Sequence, residues 1–127
     1  MKKLIVLALA VGGIYWYATH KFNFDDTLVY AKKHPEKSWA PGVAYGVGMV
    51  YYQRTEYQKA QEVFTSALTD FPTGQYTART LLRLSEVAEE NRDWGTAKET
   101  LDRFLAEYPD HPDRMIATKR RELLYNK

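Results

Sequence analysis

The pattern that decides the fold runs from residue 45 to residue 72 and reads YGVGMVYYQRTEYQKAQEVFTSALTDFP. A similar pattern, LRLSEVAEENRDWGTAKETLDRFLAEYP, occupies residues 82–109, so the two stretches are offset by 37 residues. Apolar or aromatic residues coincide at this offset in the pairs Val47 and Leu84, Val50 and Val87, Tyr57 and Trp94, Ala60 and Ala97, Phe64 and Leu101, Leu68 and Leu105, and Phe71 and Tyr108. The same spacing relates Pro35, Pro72 and Pro109, each of which ends a helix-like run. A period of about 20 to 50 residues is typical of a helical solenoid. The sequence therefore predicts an all-α repeat fold.

Local signals predict where the first pair of helices begins. Ser38 is expected to begin the first helix, and Thr55 followed by Gln58 has the pattern of a capping box for the second. Two glycines, Gly46 and Gly48, lie inside the first helix, where each costs about 1 kcal/mol relative to alanine. Such a cost indicates a close approach of the paired helix at these positions.

A second pair of helices is predicted at residues 75–90 and 94–107, with Asp93 as the N-cap of the latter. A last helix, residues 113–125, is charged over most of its surface. A solenoid needs a terminal helix with a polar outer face, so we predict that this helix caps the repeats.

The N-terminus has the charge and hydropathy pattern of a secretory signal. Lys2 and Lys3 precede an uncharged run from residue 4 to residue 19. Small residues suited to cleavage are lacking near the end of this run, so we interpret residues 1–21 as an uncleaved signal anchor that crosses the membrane once. The two lysines would hold the N-terminus in the cytoplasm and place the repeat domain in the periplasm or outside the cell.

The chain then divides into the anchor at residues 1–21, a linker with a partial repeat helix at residues 22–37, and the repeat domain with its capping helix at residues 38–127. Within the anchor, Ala8 and Gly12 stand four residues apart, a spacing that lets a neighbouring membrane helix pack closely. The alternative is a soluble binding module that is secreted and released by cleavage of the signal.

The composition argues against a nucleic-acid partner. Of 18 basic residues against 16 acidic ones, three lie within the first 21 residues, so the rest of the chain carries a charge of about −1. The only dense basic cluster is Lys119 to Arg121, which a solvated terminal helix explains. The sequence contains no cysteine, which excludes disulfides, thiolate metal sites and a lipid-modified N-terminal cysteine.

The segment 41–72 resembles a tetratricopeptide repeat. Val47, Gly48 and Tyr51 occupy the family's first-helix leucine, glycine and tyrosine positions, and Tyr57, Ala60, Phe64, Ala67 and Pro72 occupy its second-helix aromatic, alanine, phenylalanine, alanine and proline positions. The segment 78–109 resembles the family more loosely, with Ser85, Ala88 and Phe104 as departures. The period of 37 exceeds the family's usual length of about 34 and is similar to that of bacterial periplasmic and outer-membrane-assembly proteins. The resemblance implies about two and a half helix pairs in a right-handed superhelix that binds proteins or peptides.

The resemblance also implies where a partner binds, because first-helix positions line the inner groove in this family. These positions are Tyr45, Met49, Tyr52 and Gln53 in one pair, and Leu82, Glu86, Glu89 and Glu90, with Arg79 and Arg83 beside them, in the next. The alternative is that Tyr45 and Met49 merely cover the extended first helix or the incomplete first repeat. We expect a membrane-anchored scaffold or accessory subunit that docks proteins of a cell-envelope complex, with the three glutamates selecting a basic segment.

The sequence predicts no catalytic residue, no metal site and no cofactor. His20, His34 and His111 lack a second ligand at the spacing of a helical metal motif. Glu86, Glu89 and Glu90 form an acidic cluster that could supply the paired carboxylates of a glycosidase or a metal site, although a solvated helix face explains them more simply. We predict that the protein is not an enzyme, with chemistry at these glutamates as the remaining alternative.

Overall fold

The computed structural model describes residues 2–21, 24–35 and 37–127. Within these residues the chain forms seven helices and no strand. The helices are α1 (Lys2–Lys21), α2 (Phe24–Lys33), α3 (Ala40–Gln53), α4 (Tyr57–Asp70), α5 (Thr77–Glu90), α6 (Trp94–Glu107) and α7 (Arg114–Leu123). From α2 to α7, each helix packs on the next one in the chain. The predicted all-α architecture is confirmed, while residues 22, 23 and 36 of the predicted linker lie outside the described residues.

The 37-residue period reappears in the helix boundaries. Helices α3 and α5 both contain 14 residues, and α5 begins 37 residues after α3. Helices α4 and α6 have the same length and the same offset. The two pairs are therefore structural repeats, flanked by the single helices α2 and α7.

The turn inside each pair also repeats, and it differs from the predicted capping box. Thr55 and Arg92, one period apart, both adopt left-handed backbone conformations, with φ of 61° and 57°. In each turn the next amide donates to the carbonyl five residues earlier, at 2.9 and 2.8 Å. Thr55 thus closes α3, and the N-cap of α4 is Glu56, which makes no side-chain capping bond. The capping box was wrong because the pattern was placed one residue outside the helix start.

Other predicted starts had mixed outcomes. Helix α3 begins at Ala40, two residues after Ser38, and its N-cap Trp39 makes no side-chain capping bond. Asp93 is confirmed as the N-cap of α6, since its Oδ1 accepts a hydrogen bond from the Thr96 amide at 3.2 Å.

The core lies between the two helices of each pair. Its largest fully buried side chains are Phe64, Phe104, Leu81, Leu101, Val87 and Ser85. A Cβ atom added to Gly48 would lie 2.4 Å from the nearest ring carbon of Phe64, so the predicted close approach is confirmed there. At Gly46 nothing lies within 4 Å of such an atom, so the same prediction was wrong for this glycine.

Helix α7 is the last described helix, and the expectation that it caps the repeats stays a prediction. It packs on α6 and buries Ala117 and Leu124. Leu81 and Leu84 of α5 are buried, whereas Thr118 and Arg121, one period later in α7, are not. A further helix would find little apolar surface at these positions.

The prediction of a single-pass membrane protein with a periplasmic repeat domain is wrong. Within the described residues, no helix combines the length and the apolar character needed to cross a bilayer. The aliphatic run of α1, residues 4–14, rises by about 16 Å, compared with about 30 Å for a hydrocarbon core. Ala8 and Gly12, predicted to pack against a neighbouring membrane helix, lie on the exposed surface of α1, and no neighbour approaches Gly12 within 4 Å of an added Cβ.

Candidate protein-binding surface

The candidate surface is the exposed side of α3, α5 and α7, which we call the first-helix face. Because these helices are related by the period, equivalent positions hold Tyr45, Leu82 and Lys119 in one row, and Met49, Glu86 and Leu123 in another. The ten predicted residues all belong to α3 and α5. Helix α7 extends the face beyond them.

The α3 end of the face is aromatic and partly embedded in the core. The Tyr45 ring lies 6.1 Å from that of Phe64 and 5.6 Å from that of Tyr76, measured between centroids. Met49 and Tyr52 are half-buried against the core. Each of these side chains therefore covers the core with one part and leaves another part exposed, and contact of the exposed part with a partner stays a prediction. Gln53 is exposed at the end of α3.

The middle of the face is a charged band that is largely neutralised within the chain. Arg83 Nη1 donates to both carboxylate oxygens of Glu86, at 3.0 and 2.9 Å. Arg120 of α7, whose side chain is only 19% exposed, pairs with Glu89, and its Nη1 also lies 4.0 Å from Glu86 Oε1. Glu90 is exposed and has no ion pair among the described residues. Of the three glutamates expected to select a basic segment, only Glu90 has no ion pair among the described residues, and the selection itself stays a prediction.

Electrostatic contacts connect the α3 and α5 parts of the face. A side-chain hydrogen bond with Tyr45 is the main cause that raises the pKa of Arg83 above its ordinary value, and Glu86 adds to it. Burial raises the pKa of Tyr52, and the nearby carboxylates of Glu86 and Glu90 raise it further. Both side chains therefore keep their protons at neutral pH and serve as hydrogen-bond donors rather than as bases.

A cavity of about 460 Å³ opens where α3, α5 and the turn before α7 meet. It is lined by Tyr45, Arg79, Leu82, Arg83, His111, Pro112 and Asp113. Four of the predicted residues thus converge, joined by a turn that the sequence analysis had treated only as a connection. His111 is fixed there, since its Nδ1 accepts a hydrogen bond from the Asp113 amide at 3.0 Å.

Sequence reasoning also missed what α7 contributes to the face. Ile116 and Leu123 expose 61% and 72% of their surface and lie seven residues apart on one side of the helix. Arg120 stands one period after Arg83, which is the signal that could have placed it on this face. Arg121, assigned to a solvated cluster with Arg120, instead donates to Asp102 at 2.7 and 3.3 Å.

A second cavity lies on the exposed side of α4, and hydrogen bonds between its polar side chains connect the two repeats. Its volume is about 560 Å³, and it includes Gln61, Asn91 and Asp93. Asn91 Nδ2 donates to Gln61 Oε1, and Gln61 Nε2 donates to Asp93 Oδ2, both at 2.7 Å. These side chains already satisfy one another across the repeat boundary, which explains them structurally. No group of three metal-ligating side chains occurs in the part of the chain that the structure describes.

The repeat region of the chain matches a known protein family. The model of a family described as YfiO, outer membrane lipoprotein, matches residues 37–118. This is 82 of the 127 residues, from the turn before α3 into the first turns of α7. No curated protein matches the chain.

Proposed function

The chain belongs to the YfiO family of outer membrane lipoproteins, and on this premise we propose that it is a non-catalytic accessory subunit for protein assembly in the cell envelope. In this role the first-helix face holds a segment of a partner protein. The tetratricopeptide-like repeats support the proposal, because such helix pairs present one face of side chains from successive first helices. This family also supports a protein-interaction role rather than an enzymatic one.

The observation that carries the proposal is the sequence of apolar, charged and apolar zones along the first-helix face. Partly exposed aromatic side chains lie at the α3 end, and Ile116 and Leu123 are exposed at the α7 end. The band between them is closed by ion pairs. Interfaces have apolar anchors that fill partner pockets, surrounded by polar groups that contribute less. A partner segment with two apolar anchors fits this arrangement.

Glu86 and Glu89 fit this function better than they fit hydrolysis. Each carboxylate is engaged by an arginine, Arg83 or Arg120. A hydrolase needs one carboxyl group to protonate the leaving group and the other to contact the reacting atom or its water. Here Glu86 is held by an arginine of the same helix, and Glu89 connects α5 to α7.

The family's lipid attachment is not carried over to this chain. None of the 127 residues is a cysteine, so a thioether-linked lipid has no attachment site among them. The family description replaces the single-pass topology expected from the sequence, and we propose the cell envelope as the place of action on that basis.

Site-specific photocrosslinking of the full chain in cells tests the proposal. A photoreactive amino acid is placed at Gln53 or Leu123 on the first-helix face, and at Glu62 or Glu99 on the exposed side of α4 and α6. We expect one and the same envelope protein to be captured from both ends of the first-helix face and from neither control position. Capture from the α4 and α6 positions alone would contradict the proposal.

A substitution at one end of the face sharpens the test. Leu123→Glu should reduce capture from position 53, because the two ends hold the same segment. Leu123 is 72% exposed, so the free energy of unfolding should change by no more than about 0.5 kcal/mol. Unchanged capture would show that the two ends act independently.

A further inference from the structure

We infer that the partner segment places an acidic side chain on Arg79 and an adjacent apolar side chain in the cavity between α3, α5 and the turn before α7. The inference rests on the proposed function and adds the chemistry of the partner. It assigns a binding subsite to one cavity of the first-helix face.

The walls of the cavity favour an apolar side chain next to a charged one. Tyr45 and Leu82 are half-buried and form its apolar part, while Pro112 adds the surface of a rigid turn. A volume of about 460 Å³ accommodates one or two side chains.

The free charge of the cavity is positive. Arg83 is occupied by Glu86 at 2.9 Å. Arg79 is exposed, lies over the Tyr76 ring at 5.8 Å from the centroid, and has no ion pair among the described residues. Stacking on an aromatic ring leaves the edge of a guanidinium free for a bidentate bond to a carboxylate. Arg79 is therefore positioned to receive an acid.

The acidic groups nearby do not reverse this sign. Asp113 is the one carboxylate of the lining, and it is the N-cap residue of α7; His111 does not neutralise it, because His111 Nδ1 accepts a hydrogen bond from the Asp113 amide. The helix dipole favours a negative charge at that position, which reduces its effect on a ligand. Glu90, the free acid of α5, lies at the other end of that helix from Arg79.

The partner's acid is a side chain rather than a chain end. The face continues on both sides of the cavity, toward Met49 and Tyr52 in one direction and toward Ile116 in the other. A segment that passes across the face reaches both apolar ends, whereas a chain that ended in the cavity would reach only one.

Peptide binding to the full chain in detergent micelles tests the inference. The probes are fluorescent peptides of one sequence in which a central leucine is followed by glutamate, glutamine or lysine. All are acetylated and amidated, and each is also made in a form with a free C-terminal carboxylate. In fluorescence anisotropy we expect the glutamate peptide to bind about three- to tenfold more tightly than its glutamine twin, and the lysine peptide to bind least. Arg79→Gln should remove this preference. Arg92→Gln, which removes the same charge from the turn between α5 and α6, should retain it.

Four outcomes would overturn the inference. These are equal affinity for the glutamate and glutamine peptides, a preference that survives Arg79→Gln, no binding by any peptide of the series, and tight binding confined to a form with a free C-terminal carboxylate. The last result would assign the cavity to a chain end. If these outcomes occur while photocrosslinking from positions 53 and 123 still captures one envelope protein, the proposed function stands and only the acidic subsite is wrong.

Discussion

Two alanine substitutions in α3, Gly48→Ala and Gly46→Ala, should change stability in opposite directions. Both glycines lie inside the same helix, so either change removes the helix-propensity penalty of glycine and gains about 1 kcal/mol. The Cβ added at position 48 would lie 2.4, 2.7 and 2.8 Å from three ring carbons of Phe64. At position 46 the added atom meets nothing within 4 Å.

The cost at position 48 is that of an overpacked core. Phe64 is 0% exposed, so its ring cannot move aside into solvent, and α3 and α4 must separate instead. Adding a methyl group to a well-packed core costs about 1–3 kcal/mol, and contacts this short place the cost near the upper end. Gly48→Ala should therefore lower the free energy of unfolding by about 1–2 kcal/mol after the propensity gain, while Gly46→Ala raises it by about 1 kcal/mol.

Thermal and urea unfolding of the full chain, followed by circular dichroism, compares the two variants directly. Since 1 kcal/mol shifts the melting temperature of a domain of this size by about 4–8 °C, the two melting temperatures should differ by at least about 8 °C. Wild type should lie between them. If Gly48→Ala is as stable as Gly46→Ala, the contact between α3 and α4 is looser than the structure shows, and the packing argument for the repeat is refuted.

Further predictions concern caps and ion pairs. Asp93→Ala should lower the free energy of unfolding by about 1 kcal/mol at neutral pH. Hydrogen bonds, first of all from Thr96, lower the pKa of Asp93, so its stabilising effect is lost as the pH falls through the folded-state pKa. The difference from wild type in urea melts should therefore shrink below about pH 4. Glu56→Asp, one period earlier, should give α4 the capping bond that α6 has and stabilise the protein by about 0.5–1 kcal/mol in the same melts. Glu89→Gln should cost about 1 kcal/mol in urea unfolding since it breaks the bond to α7, whereas Glu90→Gln should stay within about 0.5 kcal/mol. A larger effect at Glu90 than at Glu89 would contradict the assignment of the ion pairs.

The fold could be predicted from the sequence because the apolar residues that pack in the core recur with the same 37-residue period as the helices. The bounds 94–107 of α6 coincide with the prediction, since an N-cap aspartate and a proline mark its two ends. The turn residues could not be predicted, because Thr55 and Arg92 share a left-handed backbone but no side-chain chemistry. The period could have shown that Gly46 and Gly48 differ in their packing. Gly46 precedes the half-exposed Arg83 by 37 residues, whereas Gly48 precedes Ser85, which is 0% exposed.

The candidate site was predictable only within single helices. Arg83 and Glu86 stand three residues apart on α5, a spacing at which opposite charges pair. Arg120 reaches Glu89 from 31 residues away, and no local pattern contains that contact. The sequence therefore identified the charged band but not the ion pair that Arg120 makes with Glu89, because Arg120 belongs to a helix that was interpreted as solvated.

The same comparison explains why the first-helix face can be selective although the core is repetitive. Val50 and Val87 occupy one position in α3 and α5, and Leu124, one period later, is the C-cap of α7. All three are apolar, whereas Met49, Glu86 and Leu123 differ in chemistry at the adjacent position. Packing thus constrains the residues of the first row, whereas the residues of the second row can vary to suit a partner.

The unpaired charges on α5 would fix the direction in which a partner segment lies along this helix. Arg79 and Glu90 lie near opposite ends of α5, about 16 Å apart along its axis, so a segment running along α5 has its acid at the Arg79 end and any cation at the Glu90 end. A peptide with these two charges exchanged should bind more weakly than the original, and equal affinity would show that the face does not read the direction of its partner.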